Sequence, residues 1–493
     1  MHTKRRTLLA LIFFMAFSAV TASAERWIIP AGAHATGARD TNWRTDIYLS
    51  NPYSTEITVT VYLLRKGKDN SDLNESSTHT VPANGQTVVA DILYSEFGFS
   101  GTGGLLVECD NPDLVVNSRT YDLLDDSRTF GLYMPAVRTS AALAPGQQGE
   151  IIYLAKSADY RSNVGYSAAS ADGGTFTVRL FDENGAQTGE LSRSFAGFEH
   201  WQINDIFSKT GAPPSTAARA EVEATAPVVA YATVIDEHTG DPVAIMAQRI
   251  ADAAFQAAAI PGSARAAGAN GSLWRTDVRI YNPNTEAATV TLDYYKKKKT
   301  DGPHESATLS VGGGGILALD DVMMAGFGLS SANGAIRVSS DTAVMTWSRT
   351  YDRTENGTFG QSVPAVSADF TLADQEQMIY TGLSNTGYRS NVGFFNLENE
   401  ETTFLVILFP ESGLNGISRF FTLGPNEMDQ VNDVFNWMGV TDADGSYSLL
   451  IWLSSADKIA SFVTVIDNIS NDPVYQPGEV RSIHSSESED QTR

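Results

Sequence analysis

The sequence predicts an all-β protein of four tandem antiparallel immunoglobulin-like β-sandwich domains, in an alternating odd and even arrangement, behind a cleaved signal peptide. Two observations carry this prediction. A phrase built on an arginine recurs at intervals of about 115 residues, which is typical of tandem structural units. Each copy is followed by short runs of β-branched and aromatic residues between turn signals, which is the pattern of a β-sandwich. The four phrases are 43–46, 160–163, 274–277 and 388–391.

Residues 1–24 have the composition of a secretory signal peptide. Basic residues at 4–6 precede an apolar run at 8–17, and small residues at 22–24 suit cleavage by a signal peptidase. The apolar run is too short to serve as a permanent anchor, and no second long apolar segment follows. We therefore expect export to the periplasm, cell surface or medium, with no transmembrane segment in the mature chain.

The domain boundaries follow from the repeat. The four β-sandwiches are predicted at 25–138, 139–250, 251–367 and 368–481, and the polar stretch 482–493 is predicted to be a disordered tail. Cys109 is the only cysteine, so no intramolecular disulfide is available and each domain depends on burial of its own core. Cys109 itself lies in an apolar run and is predicted to be a small core residue.

Within the first domain, the elements follow one another in a fixed order. An apolar segment at 27–30 leads to the arginine phrase, which opens an alternating strand that stops at the Asn-Pro turn 51–52. A second strand at 57–63 and a third at 86–90 follow. By alternation, the aromatic residue that begins each phrase faces inward and anchors the core. These aromatic residues are Trp43, Tyr160, Trp274 and Tyr388.

A single helical turn comes next, and two further strands close the domain. An aspartate begins the turn in every copy and is predicted to cap its free N–H groups. These aspartates are Asp91, Asp205, Asp321 and Asp433. The closing strands, at 104–109 and 114–121 in the first domain, end in a repeated acid. These acids are Asp122, Asp236, Asp352 and Asp467. A jelly roll is the alternative to the immunoglobulin-like sandwich.

The copies alternate in sequence. Odd domains share a Ser-Arg-Thr-Tyr-Asp ending, at 118–122 and 348–352, followed by Thr-Phe-Gly. Even domains share Tyr-Arg-Ser-Asn-Val-Gly and an Asp-Pro-Val ending, at 241–243 and 472–474. This alternation predicts that odd and even domains pack against each other in a preferred geometry.

The phrases at 43–46, 388–393, 431–435 and 463–467 resemble tandem modules of secreted and cell-surface proteins of environmental bacteria. The resemblance covers nearly all of the mature chain. It implies an immunoglobulin-like fold and an extracellular location, and it implies no enzymatic activity. It assigns no functional residues.

The repeated arginines are predicted to hold the fold, each by bridging to a backbone carbonyl or to the acid that ends the last strand. Ligand binding by these arginines is the alternative. The fourth phrase residue is an acid in odd domains and an amide in even domains, which excludes an acid–base role shared by all copies. The arginines are Arg44, Arg161, Arg275 and Arg389.

The sequence contains no nucleophile elbow, phosphate-binding loop or His-Glu-x-x-His spacing. No catalytic residues and no cofactor are therefore predicted. One metal site is considered. Asp442 and Asp444 alternate with a turn glycine as calcium ligands do, but Leu453 stands where an EF-hand has its bidentate glutamate.

The predicted function is that of a non-enzymatic exported structural, adhesive or interaction module, with tandem sandwiches forming a stiff rod. The alternatives are a glycan- or protein-binding module, with Trp201 or Trp437 as the platform, and an enzyme with an unrecognised site. The 58 acidic against 34 basic residues exclude nucleic acid and anionic membranes as partners. A cell-surface protein or a polysaccharide is the partner class considered.

Overall fold

The computed structural model describes residues 24–37, 40–124, 127–368, 376–441, 443–453 and 458–482. It is an all-β protein whose strands pair antiparallel in several sheets. The predicted signal peptide lies almost wholly outside the described residues, as does the predicted tail beyond Ser482. Ser482 itself ends a strand rather than beginning a tail.

Strands between residues 25 and 138 form one nine-stranded sheet, in the order β4-β3-β6-β1-β2-β7-β8, with β5 on β2 and β9 on β1. β1 pairs first with β6 and then with β2, so one strand passes between two layers. The elements are β1 (Glu25–Thr36), β2 (Asn42–Ser50), β3 (Ile57–Arg65), β4 (Ser76–Val81), β5 (Gln86–Val89), α1 (Ile92–Ser95), β6 (Gly101–Cys109), β7 (Val115–Leu123), β8 (Thr129–Pro135) and β9 (Val137–Arg138).

Between residues 139 and 250, two four-stranded sheets have the orders β10-β15-β12-β13 and β14-β11-β16-β17. Tyr166 and Phe176 come from different sheets and pack at a centroid distance of 4.5 Å, which places the core between the sheets. The elements are β10 (Gln148–Leu154), β11 (Tyr160–Ala168), β12 (Gly174–Phe181), β13 (Gln187–Phe195), β14 (His200–Ile203), α2 (Ile206–Thr210), β15 (Ala218–Ala224), β16 (Val228–Asp236) and β17 (Pro242–Met246), preceded by a 3₁₀ turn at Thr139–Ala141.

The strands between residues 250 and 367 repeat the first arrangement in an eight-stranded sheet, in the order β21-β20-β23-β18-β19-β22, with β24 on β23 and β25 on β18. The elements are α3 (Ile250–Ala253), β18 (Ala254–Ala267), a 3₁₀ turn (Ala269–Gly271), β19 (Leu273–Tyr281), β20 (Ala288–Lys296), β21 (Glu305–Val311), β22 (Ile316–Leu319), α4 (Val322–Ala325), β23 (Ala332–Thr354), β24 (Gly357–Pro364) and β25 (Val366–Ser367).

The last strands form a five-stranded sheet, β29-β28-β31-β26-β34, and a four-stranded sheet, β30-β27-β32-β33. Phe394 and Phe404 pack between these sheets, at a centroid distance of 4.9 Å. The elements are β26 (Glu376–Leu383), β27 (Tyr388–Asn396), β28 (Thr402–Pro410), β29 (Ile417–Leu423), β30 (Met428–Val431), α5 (Val434–Met438), β31 (Tyr447–Trp452), β32 (Ile459–Asp467), β33 (Pro473–Gln476) and β34 (Glu479–Ser482).

One register relation is the same in all four copies. The strand that carries the arginine phrase pairs with the strand that ends in the repeated acid, and the first phrase residue lies directly opposite that acid. The pairs are Trp43–Asp122, Tyr160–Asp236, Trp274–Asp352 and Tyr388–Asp467. The two repeated phrases are therefore cross-strand neighbours.

The chain closes on itself rather than extending as a rod. The stretch 25–138 contacts 139–250 through an apolar cluster that includes Ile28 and Phe198, and it also contacts 376–482, where Asn117 Nδ2 donates to Thr381 Oγ1. The stretch 254–367 contacts both even stretches, for example through the stacked rings of Tyr153 and Trp347. The stiff rod expected from tandem units is therefore wrong, because the first and last stretches are in contact.

The helix-starting aspartates cap in only two of the four copies. Asp205 and Asp433 accept hydrogen bonds from the backbone N–H of Ser208 and Asn436, as predicted. Asp91 and Asp321 make no side-chain capping bond. All four adopt a left-handed backbone, with φ between 48° and 55°, which aspartate tolerates better than most residues.

We predict that Asp433→Ala lowers the free energy of unfolding by about 1–2 kcal/mol, since alanine loses the cap and is disfavoured in a left-handed conformation. Asp433→Asn keeps both properties and should cost less. Urea unfolding measures the difference. The exposed Asp172 is the control, because its alanine variant should stay within about 0.5 kcal/mol of the parent. Equal losses for the alanine and asparagine variants of Asp433 would contradict the prediction.

Candidate functional site

The fourth residue of each arginine phrase accepts the backbone N–H that begins the helical turn. Asp46 Oδ1 accepts it from Asp91 at 2.8 Å, and Asn163 Oδ1 accepts it from Asp205 at 3.0 Å. A carboxylate and an amide both supply the oxygen that this contact needs. The change from acid to amide therefore leaves the contact unaltered. The remaining pairs are Asp277–Asp321 at 2.8 Å and Asn391–Asp433 at 3.0 Å.

The arginines of the odd phrases contact the helical turn. Arg44 Nη1 donates to the carbonyl of Trp43 at 2.7 Å, and its Nε lies 3.2 Å from Asp91 Oδ2. The backbone carbonyl of the predicted bridge is thus present, but the carboxylate is the one that starts the turn and not Asp122. The third phrase repeats both contacts with Arg275, Trp274 and Asp321, at 2.6 and 3.2 Å.

The arginines of the even phrases contact the turn that follows the last strand. Arg161 Nε lies 3.6 Å from Glu237 Oε1. Arg389 donates to the side-chain oxygens of Asn468 at 3.0 Å and Asn471 at 3.2 Å. Both arginines remain partly exposed and line clefts described below.

The strand-ending acids of the odd copies hold hairpins within their own stretch. Asp122 accepts a hydrogen bond from the backbone N–H of Asn42, and Asp352 accepts one from Leu273 at 2.6 Å. Burial raises the pKa of both carboxyls.

The strand-ending acids of the even copies instead bind a neighbouring odd stretch. Asp467 Oδ2 accepts from the backbone N–H of Thr129 at 2.9 Å and from its hydroxyl at 2.8 Å. Asp236 makes the same two contacts with Thr358, at 2.9 and 2.8 Å. These threonines begin the Thr-Phe-Gly phrase found only in odd copies.

The aspartate of the even Asp-Pro-Val phrase continues this contact. Asp472 Oδ2 accepts from the backbone N–H of Gly131 at 2.9 Å, and Asp241 Oδ2 accepts from Gly360 at 2.8 Å. A Cβ at position 131 would lie 2.3 Å from the carbonyl oxygen of Thr120, so only glycine allows this approach. Both aspartates are fully buried. Burial raises the pKa of both carboxyls well above the ordinary value, with a further contribution from the charge of Asp472 at Asp241 and from that of Asp467 at Asp472.

A buried arginine completes each contact. Arg119 donates to the Thr129 hydroxyl at 2.8 Å and to the Tyr388 hydroxyl at 3.1 Å. The other contact uses Arg349 in the same way, with Thr358 at 2.8 Å and Tyr160 at 3.4 Å. The arginine guanidiniums and the aspartate carboxylates of these contacts are shielded from solvent. These contacts link the stretches to one another.

A cleft lies between the strands of 25–138 and those of 139–250, with a cavity volume of about 350 Å³. The odd phrase strand brings Trp43 to its wall, and the even phrase strand brings Arg161 and Asn163. Gln202 and Asn204, on and just after β14, complete a wall of amide groups.

An equivalent cleft of about 260 Å³ lies between the strands of 254–367 and those of 376–482. The same residue types line it at matching repeat positions. Gln202 pairs in register with Gly165 in the first cleft, and Gln430 pairs with Gly393 in the second. The second lining includes Trp274, Arg389, Asn391, Gln430 and Asn432.

The aromatic residues that begin the phrases are less buried than predicted. Trp43 and Trp274 are half-buried at the cleft walls. One edge of each indole is covered by the glycine of the preceding hairpin, Gly37 or Gly268. Tyr160 and Tyr388 are also half-buried and bind Arg349 and Arg119.

Trp201 and Trp437, the tryptophans proposed as sugar platforms, each have an arginine over the ring. Arg193 lies 3.9 Å from the Trp201 ring centroid, and Arg419 lies 5.5 Å from that of Trp437. Neither tryptophan lines either of the two clefts described above.

Only one of the two candidate calcium ligands lies among the described residues. Asp442 lies outside the described residues, and Asp444 is exposed, with its carboxylate accepting from the N–H of Gly445. In the described part of the chain, no cluster of three or more His, Cys, Asp or Glu side chains is placed to hold a metal ion. No helix of that part is both long enough and apolar enough to cross a membrane.

Comparison with known proteins gives little. No protein family matches the sequence, and no curated protein is significantly similar to it. Among solved structures, the chain aligns with a glycoside hydrolase of family 32 from Bifidobacterium adolescentis at 10% identity, over 88% of this chain and 98% of the other. The TM-score of that alignment is 0.14, so it carries no argument about fold or activity.

Proposed function

We propose that this is an exported, non-enzymatic interaction protein of four immunoglobulin-like units, and that its two equivalent clefts bind glycans. The observation that supports this best is the duplication of one lining. At matching positions, each cleft presents an indole, a guanidinium and three side-chain amides. The same residue types thus converge on an open cleft in both pairs of stretches.

The chemistry of the lining suits a sugar. A saccharide carries hydroxyls that donate and accept, together with apolar C–H faces. Amides offer both donors and acceptors, and an indole offers a flat apolar surface with one N–H. A pocket with an apolar wall and a few convergent polar groups is the usual form of a small-ligand site.

The small number of carboxylates in the two clefts favours binding over hydrolysis. Glycoside hydrolysis generally needs two carboxyl groups flanking the bond. Among the described residues, the first cleft has no Asp or Glu in its lining, and the second has only Asp433, which caps a helical turn.

The four-unit architecture is supported by the way the strands pair. Every strand pair within a named sheet stays inside one of the four predicted ranges, apart from β34, which ends at Ser482. Two of the ranges contain two separate sheets that enclose a core, as in a sandwich. Adhesion would follow if the glycan belongs to a neighbouring surface. Export is tested by fractionation, with N-terminal sequencing of the product expected to begin at Glu25.

The glycan proposal predicts a stoichiometry of two. Isothermal titration of the full chain with oligosaccharides selected on a glycan array should show two sites per chain. Trp43→Ala or Trp274→Ala should each remove one site, and the double variant should bind at least about 100-fold more weakly, since the loss of a stacking surface and of pocket shape costs a few kcal/mol. Trp437→Ala is the matched control and should keep both sites.

Two outcomes would count against the proposal. The wild-type chain could fail to bind any glycan, or the double tryptophan variant could bind as the wild type does. Thermal melts of all variants show whether loss of binding reflects loss of folding.

A further inference from the structure

The two clefts share their lining but differ in charge. Lys297 occupies the repeat position that corresponds to Lys66, but it does not line the second cleft. Lys297 Nζ lies 3.7 Å from Asp429 Oδ1 and donates to the carbonyl of Gln430 at 3.0 Å. Lys298 contacts the same carboxylate, at 3.5 Å, and among the described residues no lysine lines the second cleft.

Lys66 has no such partner. Because Gln202 and Gln430 occupy the same register, Trp201 stands at the repeat position that Asp429 occupies in the last stretch. Lys66 Nζ lies 5.1 Å from the Trp201 ring centroid, and no carboxylate of the described residues lies within ion-pair distance of it. Lys66 itself lines the first cleft.

The other charges around the first cleft do not compensate Lys66. Arg193, on the same tryptophan, is neutralised by the buried Glu199 at 2.5 Å. Arg161 has Glu237 at the longer distance of 3.6 Å. His200 is buried, and burial lowers its pKa to about 3, so it stays neutral at neutral pH. The first cleft therefore carries an uncompensated positive charge in a chain of formal net charge −24.

We propose that the first cleft binds an anionic saccharide, one that carries a carboxylate or a sulfate, with Lys66 contacting the anionic group, whereas the second cleft does not discriminate between acidic and neutral saccharides. This inference rests on the proposed glycan binding. Half-buried at the wall, the ammonium has lost part of its hydration, and an anionic ligand group restores the lost interaction. A neutral ligand restores only part of the interaction that the ammonium has lost with water.

The test uses matched ligand pairs on the full chain. Trp274→Ala isolates the first cleft and Trp43→Ala isolates the second. Each is titrated at low salt with an oligogalacturonate and its methyl ester, and with a sulfated disaccharide and its unsulfated parent. The first cleft should bind one acidic ligand about three- to tenfold more tightly than its neutral counterpart, and the second should show no preference.

Lys66→Gln, added to Trp274→Ala, should remove the preference, so that the acidic and the neutral ligand of each pair bind with the same affinity. Lys68→Gln, at an exposed lysine nearby, is the control and should retain the preference. Which pair shows the preference identifies the source of the anion. Equal binding of acidic and neutral ligands by the first cleft, or a preference that survives Lys66→Gln, overturns the inference while glycan binding stands. Absence of binding to every ligand overturns the proposed function instead.

Discussion

Asp467→Ala is expected to lower the free energy of unfolding by about 3 kcal/mol, because the carboxylate is 3% exposed and accepts four hydrogen bonds. Oδ2 accepts two from Thr129, as described above. Oδ1 accepts from the backbone N–H of Ile469 at 2.8 Å and of Ser470 at 2.9 Å. Alanine leaves all four donors without this acceptor, and two of them belong to a different stretch of the chain.

The location of the damage distinguishes this prediction from general destabilisation. Hydrogen exchange should show that the Thr129 amide loses protection well before amides in the core of 25–138. Asp236→Ala should have the same effect at Thr358, where the same contacts occur. Asp110→Ala, at an exposed position, should leave both amides protected. Unaltered unfolding of Asp467→Ala would show that the strand-ending acid does not hold the stretches together.

The strand content was open to prediction because it depends on local patterns. β-branched runs, turn signals and the repeat period placed strands close to their observed positions, such as the second strand at 57–63 against Ile57–Arg65. The third copy differs where it lacks a strand-ending proline that the first copy has. Asn111-Pro112 separates β6 from β7, and no proline occupies the corresponding point in β23, which runs unbroken for 23 residues.

The partners of the repeated charges could not be read from spacing alone. Asp467 and Asp122 occupy the same repeat position, yet one binds another stretch and the other its own hairpin. The difference depends on whether the surface beside the acid is covered, which is a property of the closed arrangement. The alternating phrases contained the relevant signal, since those unique to odd copies and those unique to even copies meet at Thr129 and Thr358.

The clefts were missed for a similar reason. Their walls combine residues from two copies, such as Trp43 with Arg161, and no motif within one copy contains both. Inspection of single phrases therefore assigned the tryptophan to a core and the arginine to a bridge. Lys66 is the exception that the sequence offered, since it has no ion-pair partner within its own copy among the described residues.

The buried aspartates Asp241 and Asp472 should make the protein less stable as pH rises. Both carboxyls are enclosed where the stretches meet, and burial raises the pKa of each well above the ordinary value. Oδ1 of each has no hydrogen-bond partner among the described residues, which suits a carboxyl that retains its proton. In the unfolded chain, both would titrate near the ordinary pKa of about 3.9.

The sign follows from proton linkage. Between the unfolded and the folded pKa, the native state binds more protons than the unfolded state. The stabilisation is therefore complete below about pH 4 and is lost as pH rises through the folded pKa. Glu150 and Glu479 act in the same direction, since burial raises the pKa of each to about 7. His200 acts in the opposite direction below its ordinary pKa of about 6.5, because burial lowers its pKa to about 3. The contribution of these four carboxyls to the free energy of unfolding should thus fall from pH 4 to pH 8.

Asparagine at either position isolates the contribution of the pair, because it keeps an oxygen for the glycine N–H and cannot ionise. Asp241→Asn and Asp472→Asn should each reduce the loss of stability between pH 4 and pH 8 by about 1–2 kcal/mol, measured by urea unfolding. Asp110→Asn should leave the slope unchanged. A steeper loss in the asparagine variants would mean that the carboxylates are ionised against Arg119 and Arg349, since Arg349 Nη2 lies 3.9 Å from Asp241 Oδ2. In that case the contact would be a buried ion pair, and its stability would decline toward low pH instead.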